Sequence, residues 1–173
     1  MYPVYKKKTS ETDMQDVFTG PFGTSSGLGI TGNEFDFQAS IGPFQSLKMC
    51  PGNFVQRLVN QGLEIVKEDG STDSAGDCPT LENNPPVEFD LHLGDYVTEA
   101  LVRTGYVLDR LTLVVTRNDE NHEVFSVGGP YGNAADATPP ASKHGPCQMV
   151  NINGTVLDHE SNDTPGNFIS SIG

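Results

Sequence analysis

Apolar and polar residues alternate with period two along several short stretches of the chain: "NEFDFQ" (Asn33 to Gln38), "VEFDLHL" (Val87 to Leu93) and "HEVFSV" (His122 to Val127). A strand turns successive side chains to opposite faces, so this pattern predicts half-buried strands, each bounded here by Gly, Pro, Asn or Asp. "FQSLKM", "FVQRLV", "LEIVKE" and "RLTLVVT" extend it, and "KEDGST" (Lys67 to Thr72) carries an Asp-Gly turn signal. No three-to-four spacing persists over three helical turns. The expected class is all-β.

Between the strands lie three stretches that read as loops. Gly20 to Gly32, "GPFGTSSGLGITG", is rich in glycine; Asp69 to Pro86 is acidic and ends in Pro-Pro; Asn133 to Pro146 has almost no apolar content. Residues 1–19 read as an N-terminal arm and residues 20–173 as one domain, since 173 residues suffice for a single core and a second would be cramped. Hydrophobic residues make up 35%, with Gly 19 and Pro 12, which suits a loop-rich globular chain and not a disordered one.

Charge narrows the partners. A net charge of -13 repels phosphate over most of a surface, which argues against nucleic acid and anionic membranes and in favour of neutral or basic partners. No apolar run reaches the roughly 20 residues of a membrane-spanning helix, and no apolar segment follows the basic residues near the start, so neither a transmembrane segment nor a signal peptide is visible. Cys50, Cys78 and Cys147 leave two alternatives, one disulfide with a free thiol or three buried thiols, and none has zinc-ligand spacing. Asn153-Gly154-Thr155 and Asn162-Asp163-Thr164 are glycosylation triplets that matter only outside the cell.

One phrase recurs. Gly52-Asn53-Phe54-Val55, Gly94-Asp95-Tyr96-Val97 and Gly166-Asn167-Phe168-Ile169 each place Gly, a short polar residue, an aromatic and a β-branched residue together, as three similar sheets about a pseudo-threefold axis would. Taken in order, "GPFG" with its glycine-rich loop, the "FDF" strand, "IGPFQSLKMCPGNFVQRLVNQGLEIV", "RLTLVVTRN" and "VFSVGGPYG" resemble the jacalin-related lectins, over roughly Gly20 to Gly173.

The resemblance implies a β-prism I fold, three four-stranded antiparallel sheets with pseudo-threefold symmetry. It also implies a glycan or glycoprotein partner, no catalysis, no cofactor and no metal. In that family a C-terminal Gly-x-x-x-Asp loop gives backbone N–H groups and one carboxylate to sugar hydroxyls, helped by the N-terminal glycine loop. A charged acceptor bonds hydroxyls more strongly than a neutral one, and glycine lets the backbone approach closely. Carried over, the candidate site comprises Gly27 and Gly29, Gly105 and Tyr106, and Gly166, Asn167, Phe168 and Ser170. Ser170 stands where the family has aspartate, which weakens the site by roughly 1.5–3 kcal/mol for each charged hydrogen bond lost. With Gln56 and Thr98 at that position in the other copies of the phrase, the site is absent, shifted to Asp95 or Asp109, or replaced by a protein-binding surface.

The family also continues for one strand beyond the equivalent of Gly173, so either the chain is a fragment lacking its last strand or another segment fills the gap, and "MYPVYKKK" is the expected substitute, since Tyr2, Val4 and Lys6 would share one strand face. An edge left open would instead recruit a second copy or a larger assembly. Formal matches to catalytic or metal motifs lack their context. Gly23 to Gly27 (G-x-S-x-G) and Gly27 to Gly32 (G-x-G-x-x-G) have no strand before and helix after. Asp69, Ser71, Asp73 and Asp77 lack the calcium-loop glycine and glutamate. His92, His122, His144 and His159 are scattered. A lectin-like module is thus expected, with a structural or assembly subunit, or the recognition domain of a larger toxin or surface protein, as alternatives; a secreted or cell-surface location follows from the resemblance alone.

Overall fold

The computed structural model describes residues 4–8, 14–18, 20–24, 26–27, 30–37, 44–138, 148–161 and 164–172. Among them there is no helix. The strands, in chain order, are β1 (Val4–Lys8), β2 (Met14–Phe18), β3 (Phe22–Gly23), β4 (Ser26–Gly27), β5 (Ile30–Thr31), β6 (Asn33–Asp36), β7 (Ser46–Phe54), β8 (Arg57–Val66) and β9 (Thr72–Ala75). They continue as β10 (Val87–Asp90), β11 (Tyr96–Thr104), β12 (Leu108–Thr116), β13 (His122–Gly128), β14 (Asn133–Asp136), β15 (Gln148–Asn151), β16 (Asn153–Ser161) and β17 (Thr164–Ile172).

Three four-stranded antiparallel sheets, ordered β10-β7-β8-β9, β13-β12-β11-β14 and β3-β17-β16-β6, form a β-prism. Each is built on one central hairpin, β7–β8, β11–β12 or β16–β17, flanked by two shorter strands. The alternation seen in sequence does the packing. On β12, Leu111, Leu113 and Val115 are buried while Arg110, Thr112 and Val114 between them are half-buried. Inward residues of all three sheets, among them Leu47, Leu63, Val102, Leu113, Ile152 and Ile169, meet in one core. A second cluster, Phe54, Val59, Val107 and Phe168, takes residues from all three hairpins, and Phe54 and Phe168 meet edge to face at 5.2 Å.

The pseudo-threefold repeat is visible atom by atom. Gly76, Gly128 and Gly23, all at positive φ, lie so close to the carbonyls of Gln61, Asp109 and Ser170 respectively that none has room for a Cβ. Gln61, Asp109 and Ser170 therefore occupy equivalent places in the three sheets. The turns at the other end repeat as well: Lys67 N–H bonds the Ser71 carbonyl, and Arg117 N–H the Asn121 carbonyl, each at 2.8 Å.

This repeat is not the one the recurring phrase suggests. Residues 52–55 close β7 and enter its turn, residues 94–97 lead into β11 at the opposite end, and residues 166–169 lie within β17. The phrase falls at a turn, at a strand entry and inside a strand, each at a different register. Further expectations change: Gly20 to Gly32 and Asp69 to Pro86, both read as loops, contribute the edge strands β3 (Phe22–Gly23) and β9 (Thr72–Ala75) to the prism. Asn133–Asp136, read as loop, is the edge strand β14, pairing with Leu101 to Thr104. Val4–Lys8 does form a strand, but it pairs with β2 and β15 in a separate three-stranded sheet, and the prism sheet holding β17 already has its four strands.

Cys50 and Cys78 form a disulfide, with 5.0 Å between their Cα atoms, that ties the 76–86 loop to β7; Cys147 lies outside the described residues. No helix among the described residues is long and apolar enough to cross a membrane.

Candidate functional site

The three equivalent positions have different fates. Gln61 is buried and its amide donates to the Asn167 carbonyl at 3.3 Å. Ser170 is fully buried, its hydroxyl 2.7 Å from that of Thr155. Asp109 is 6% exposed, and its carboxylate accepts no hydrogen bond from any described residue. The residue is buried as a whole, but its carboxylate oxygens are not among the enclosed side-chain atoms that lack a partner, so solvent or a ligand reaches them. Here the acceptor is also a charge.

Its surroundings explain how it is kept bare. The β11–β12 hairpin turns over Gly105, Tyr106 and Val107, with Gly105 N–H closing onto the Val107 carbonyl at 3.0 Å. A Cβ on Gly105 would lie 3.2 Å from Asp109 Oδ2, and one on Gly132 would lie 2.5 Å from it. The absence of those two side chains opens the carboxylate to a cleft of about 590 Å³ lined by Thr24, Val55, Arg57, Tyr106 and Asn133. Tyr106 is 59% exposed and Val55 60%, so the rim carries apolar surface. Arg57 stacks its guanidinium 4.6 Å from the ring centre of Tyr131. Burial pushes the Asp109 carboxyl above its ordinary value, and the nearby positive charges of Arg57 and Arg103 offset part of that push.

Gly105 and Tyr106 thus sit at this cleft. Gly166, Asn167, Phe168 and Ser170 do not line it, and they are engaged internally. Asn167 N–H donates to Asp77 Oδ2 at 2.8 Å, and Phe168 belongs to the buried cluster between hairpins. Gly27 is in the short strand β4, and Gly29 lies outside the described residues. Of the two alternative carboxylates, Asp95 is at the far end of the prism, bonded to Arg117 at 2.8 Å and to the N–H groups of His92 and Asn118 at 2.9 Å each. Asp109 alone of the two faces the cleft. The signal for it stands in the sequence, since "GYVLD", Gly105 to Asp109, is itself a Gly-x-x-x-Asp pattern.

The acidic run that resembles a calcium loop is dispersed among separate partners. Asp69 accepts from Ser71 N–H at 2.9 Å, Asp73 pairs with Lys67 at 2.7 Å, and Asp77 holds Asn167.

No protein-family model matches the chain, and no curated protein matches it by sequence. Solved structures do match. Calsepa lectin, solved in complex with a bisected glycan, aligns with a TM-score of 0.58 at 16% identity over 90% of this chain and 93% of its own. Calystegia sepium agglutinin gives 0.56 at 18% over 90% and 91%, and Malaysian banana lectin 0.53 at 17% over 89% and 95%. The fold is that of the jacalin-related lectins. The likeness to those lectins extends over the prism as a whole, and the chain spans nearly their full length.

Proposed function

We propose that this chain is a carbohydrate-binding module, without catalysis, whose sugar site is the Asp109 cleft. What carries the reading is the carboxylate of a largely buried residue, with no hydrogen-bond partner among the described residues, set beneath a glycine-led hairpin and open to a cleft. A carboxylate accepts two hydroxyl hydrogen bonds side by side, each stronger for the charge, and a vicinal diol supplies two such donors. Tyr106, exposed at the rim, supplies a flat apolar face for the carbon skeleton of a sugar. The solved lectins of the same fold support the assignment, and so does the Gly105 to Asp109 spacing. The Cys50–Cys78 disulfide goes with an oxidising compartment, in keeping with a secreted or cell-surface protein.

The test is a glycan-array screen followed by calorimetry on the wild type, Asp109→Asn and Gly132→Ala. The expected outcome is a defined sugar class bound by the wild type, with at least about tenfold weaker binding in Asp109→Asn, whose amide carries no charge. Gly132→Ala should do the same by placing a methyl against the carboxylate. Unchanged binding in both variants would move the site elsewhere.

A further inference from the structure

Carboxylates outnumber cations 23 to 10 in this chain, so a cation has many chances to find an acidic neighbour. Lys48 pairs with Glu64, Lys67 with Asp73, and Arg117 with both Asp95 and Glu123. Arg57, Arg103 and Arg110 break that rule: among the described residues none has a carboxylate oxygen within 4.0 Å. These three are not scattered. Arg57 lines the Asp109 cleft, Arg103 precedes Gly105 by two positions, and Arg110 follows Asp109 directly.

Arg103 and Arg110 are direct cross-strand partners on β11 and β12, and both line a groove of about 510 Å³ on the outer face of that sheet. Like charges directly opposite each other destabilise a strand pair unless an anion lies between them. Arg110 is held in place, its Nε donating to Ser126 Oγ at 2.9 Å, which in turn lies 2.7 Å from Thr112 Oγ1. Arg103 lines the groove beside it, and its enclosed Nε has no hydrogen-bond partner among the described residues, so no protein acceptor holds this guanidinium there. Asp136 is the acidic group of this groove, and its carboxylate takes the Thr138 N–H at 2.8 Å. Arg57 lies over the Tyr131 ring, and no hydrogen bond from its guanidinium to another described residue accompanies that contact.

From this we infer that, against the expectation of neutral or basic partners drawn from the net charge, the ligand is an acidic glycan, its hydroxyls read at Asp109 and its sulfate or carboxylate groups held in the locally basic Arg103–Arg110 groove beside the same hairpin. The inference rests on the proposed sugar site for the glycan and on the arginine arrangement for the acid. Cleft and groove share one hairpin, since Asp109 and Arg110 are adjacent on β12 and Arg103 stands two residues before Gly105. Guanidinium forks match sulfate and carboxylate oxygens in pairs, which favours them over a neutral substituent.

The experiment measures affinities for matched di- and trisaccharides in neutral, uronic-acid and sulfated forms, with inorganic sulfate as a competitor. The proteins are the wild type, Asp109→Asn, Arg110→Gln and the double variant Arg103→Gln/Arg110→Gln, with Lys48→Gln on another sheet as control. The wild type should prefer an acidic form by about tenfold or more, and the acidic-to-neutral ratio should fall towards one in the double variant but not in Lys48→Gln. Arg110→Gln is included because its charge is not among those acting on Asp109. The sulfated and uronic arms tell which acid is read. Equal affinity for neutral and acidic forms, lost in Asp109→Asn, would overturn the acidic ligand and leave the sugar site standing. Acidic binding that survives Asp109→Asn but not the double variant would keep the anion groove and overturn the sugar site. No binding by any probe would overturn both.

Discussion

Asp77 and Asn167, 90 residues apart, are joined by a 2.8 Å hydrogen bond from the Asn167 backbone N–H to the Asp77 carboxylate. The return bond, Asp77 N–H to the Asn167 carbonyl at 2.9 Å, makes the contact reciprocal and clips the 76–86 loop onto the β17 sheet. Asp77→Ala leaves Asn167 N–H, which is only partly exposed, without its charged acceptor. The expected loss is about 1.5–3 kcal/mol, several degrees in Tm, read by thermal denaturation, with sugar affinity at Asp109 unchanged.

Ser170 invites the opposite substitution, since aspartate there would restore the pattern of the family. The side chain is fully buried against Thr155 and presents no surface to solvent. Ser170→Asp would bury an additional carboxylate beside hydroxyls already bonded to each other, so destabilisation of about 2 kcal/mol or more is expected at neutral pH, with no new sugar binding. Gain of binding with unchanged Tm would show that this end of β17 opens to ligand.

What the sequence made legible follows from the range over which each signal acts. Alternation in "RLTLVVT" places Leu111, Leu113 and Val115 inward because a half-buried strand has no other way to lie, and "KEDGST" turns where Asp69 caps Ser71. The equivalence of Gln61, Asp109 and Ser170 depends instead on Gly76, Gly128 and Gly23 crossing above them from other strands, with intervals of different length. A repeated Gly-Asn-Phe phrase carries no register. For the site, Gly105 and Tyr106 were legible as a loop, and Asp109 stood as one alternative. Its lack of a partner, the space left by Gly132 and the closure of Gly166 by Asp77 are properties of contacts that only the folded chain brings together.

Asp109 has a thermodynamic signature that separates a binding residue from a structural one. Its folded-state pKa is raised by burial, so the folded protein binds its proton more tightly than the unfolded chain does. The cost of ionising it in the fold appears as pH rises above the ordinary value of 3.8 and is complete above the raised folded value. Asp109→Asn should therefore be more stable than wild type at pH 7, and the difference should vanish at pH 3. Sugar affinity of the wild type should fall on acidification at a higher pH than an ordinary aspartate would give. Denaturation of both proteins at the two pH values, with calorimetry across the range, checks both statements.

The disulfide supplies a separate element of stability. Cys50 and Cys78 are 28 positions apart, and Cys50 is fully buried. Closing a loop of that size restricts the unfolded chain, so Cys50→Ala/Cys78→Ala should lose about 2–4 kcal/mol in urea denaturation. Asp109 itself is on another sheet, and Val55 and Arg57, which bring the β7–β8 hairpin to its cleft, lie at the far end of β7 from the disulfide loop's partner strand β10, so sugar affinity should survive in the fraction that remains folded.

Asp95 titrates with the opposite sign to Asp109. Burial alone would raise its pKa, but hydrogen bonds from His92 N–H, the Arg117 guanidinium and Asn118 N–H outweigh that and hold the carboxyl below its ordinary 3.8. A depressed folded pKa means stability that is fully present above 3.8 and lost as pH falls through the folded value. Asp95→Asn keeps the shape but removes the charge facing Arg117, leaving that guanidinium, which also bonds the Asp90 carbonyl and Glu123, with one anion fewer. The expected cost is about 3 kcal/mol at pH 7, shrinking as pH falls through the lowered folded value and the wild-type carboxyl itself takes up a proton. Denaturation midpoints of the two proteins should converge as the pH is lowered. A gap that does not change with pH anywhere below 3.8 would mean that Asp95 acts at this end of the prism through shape alone.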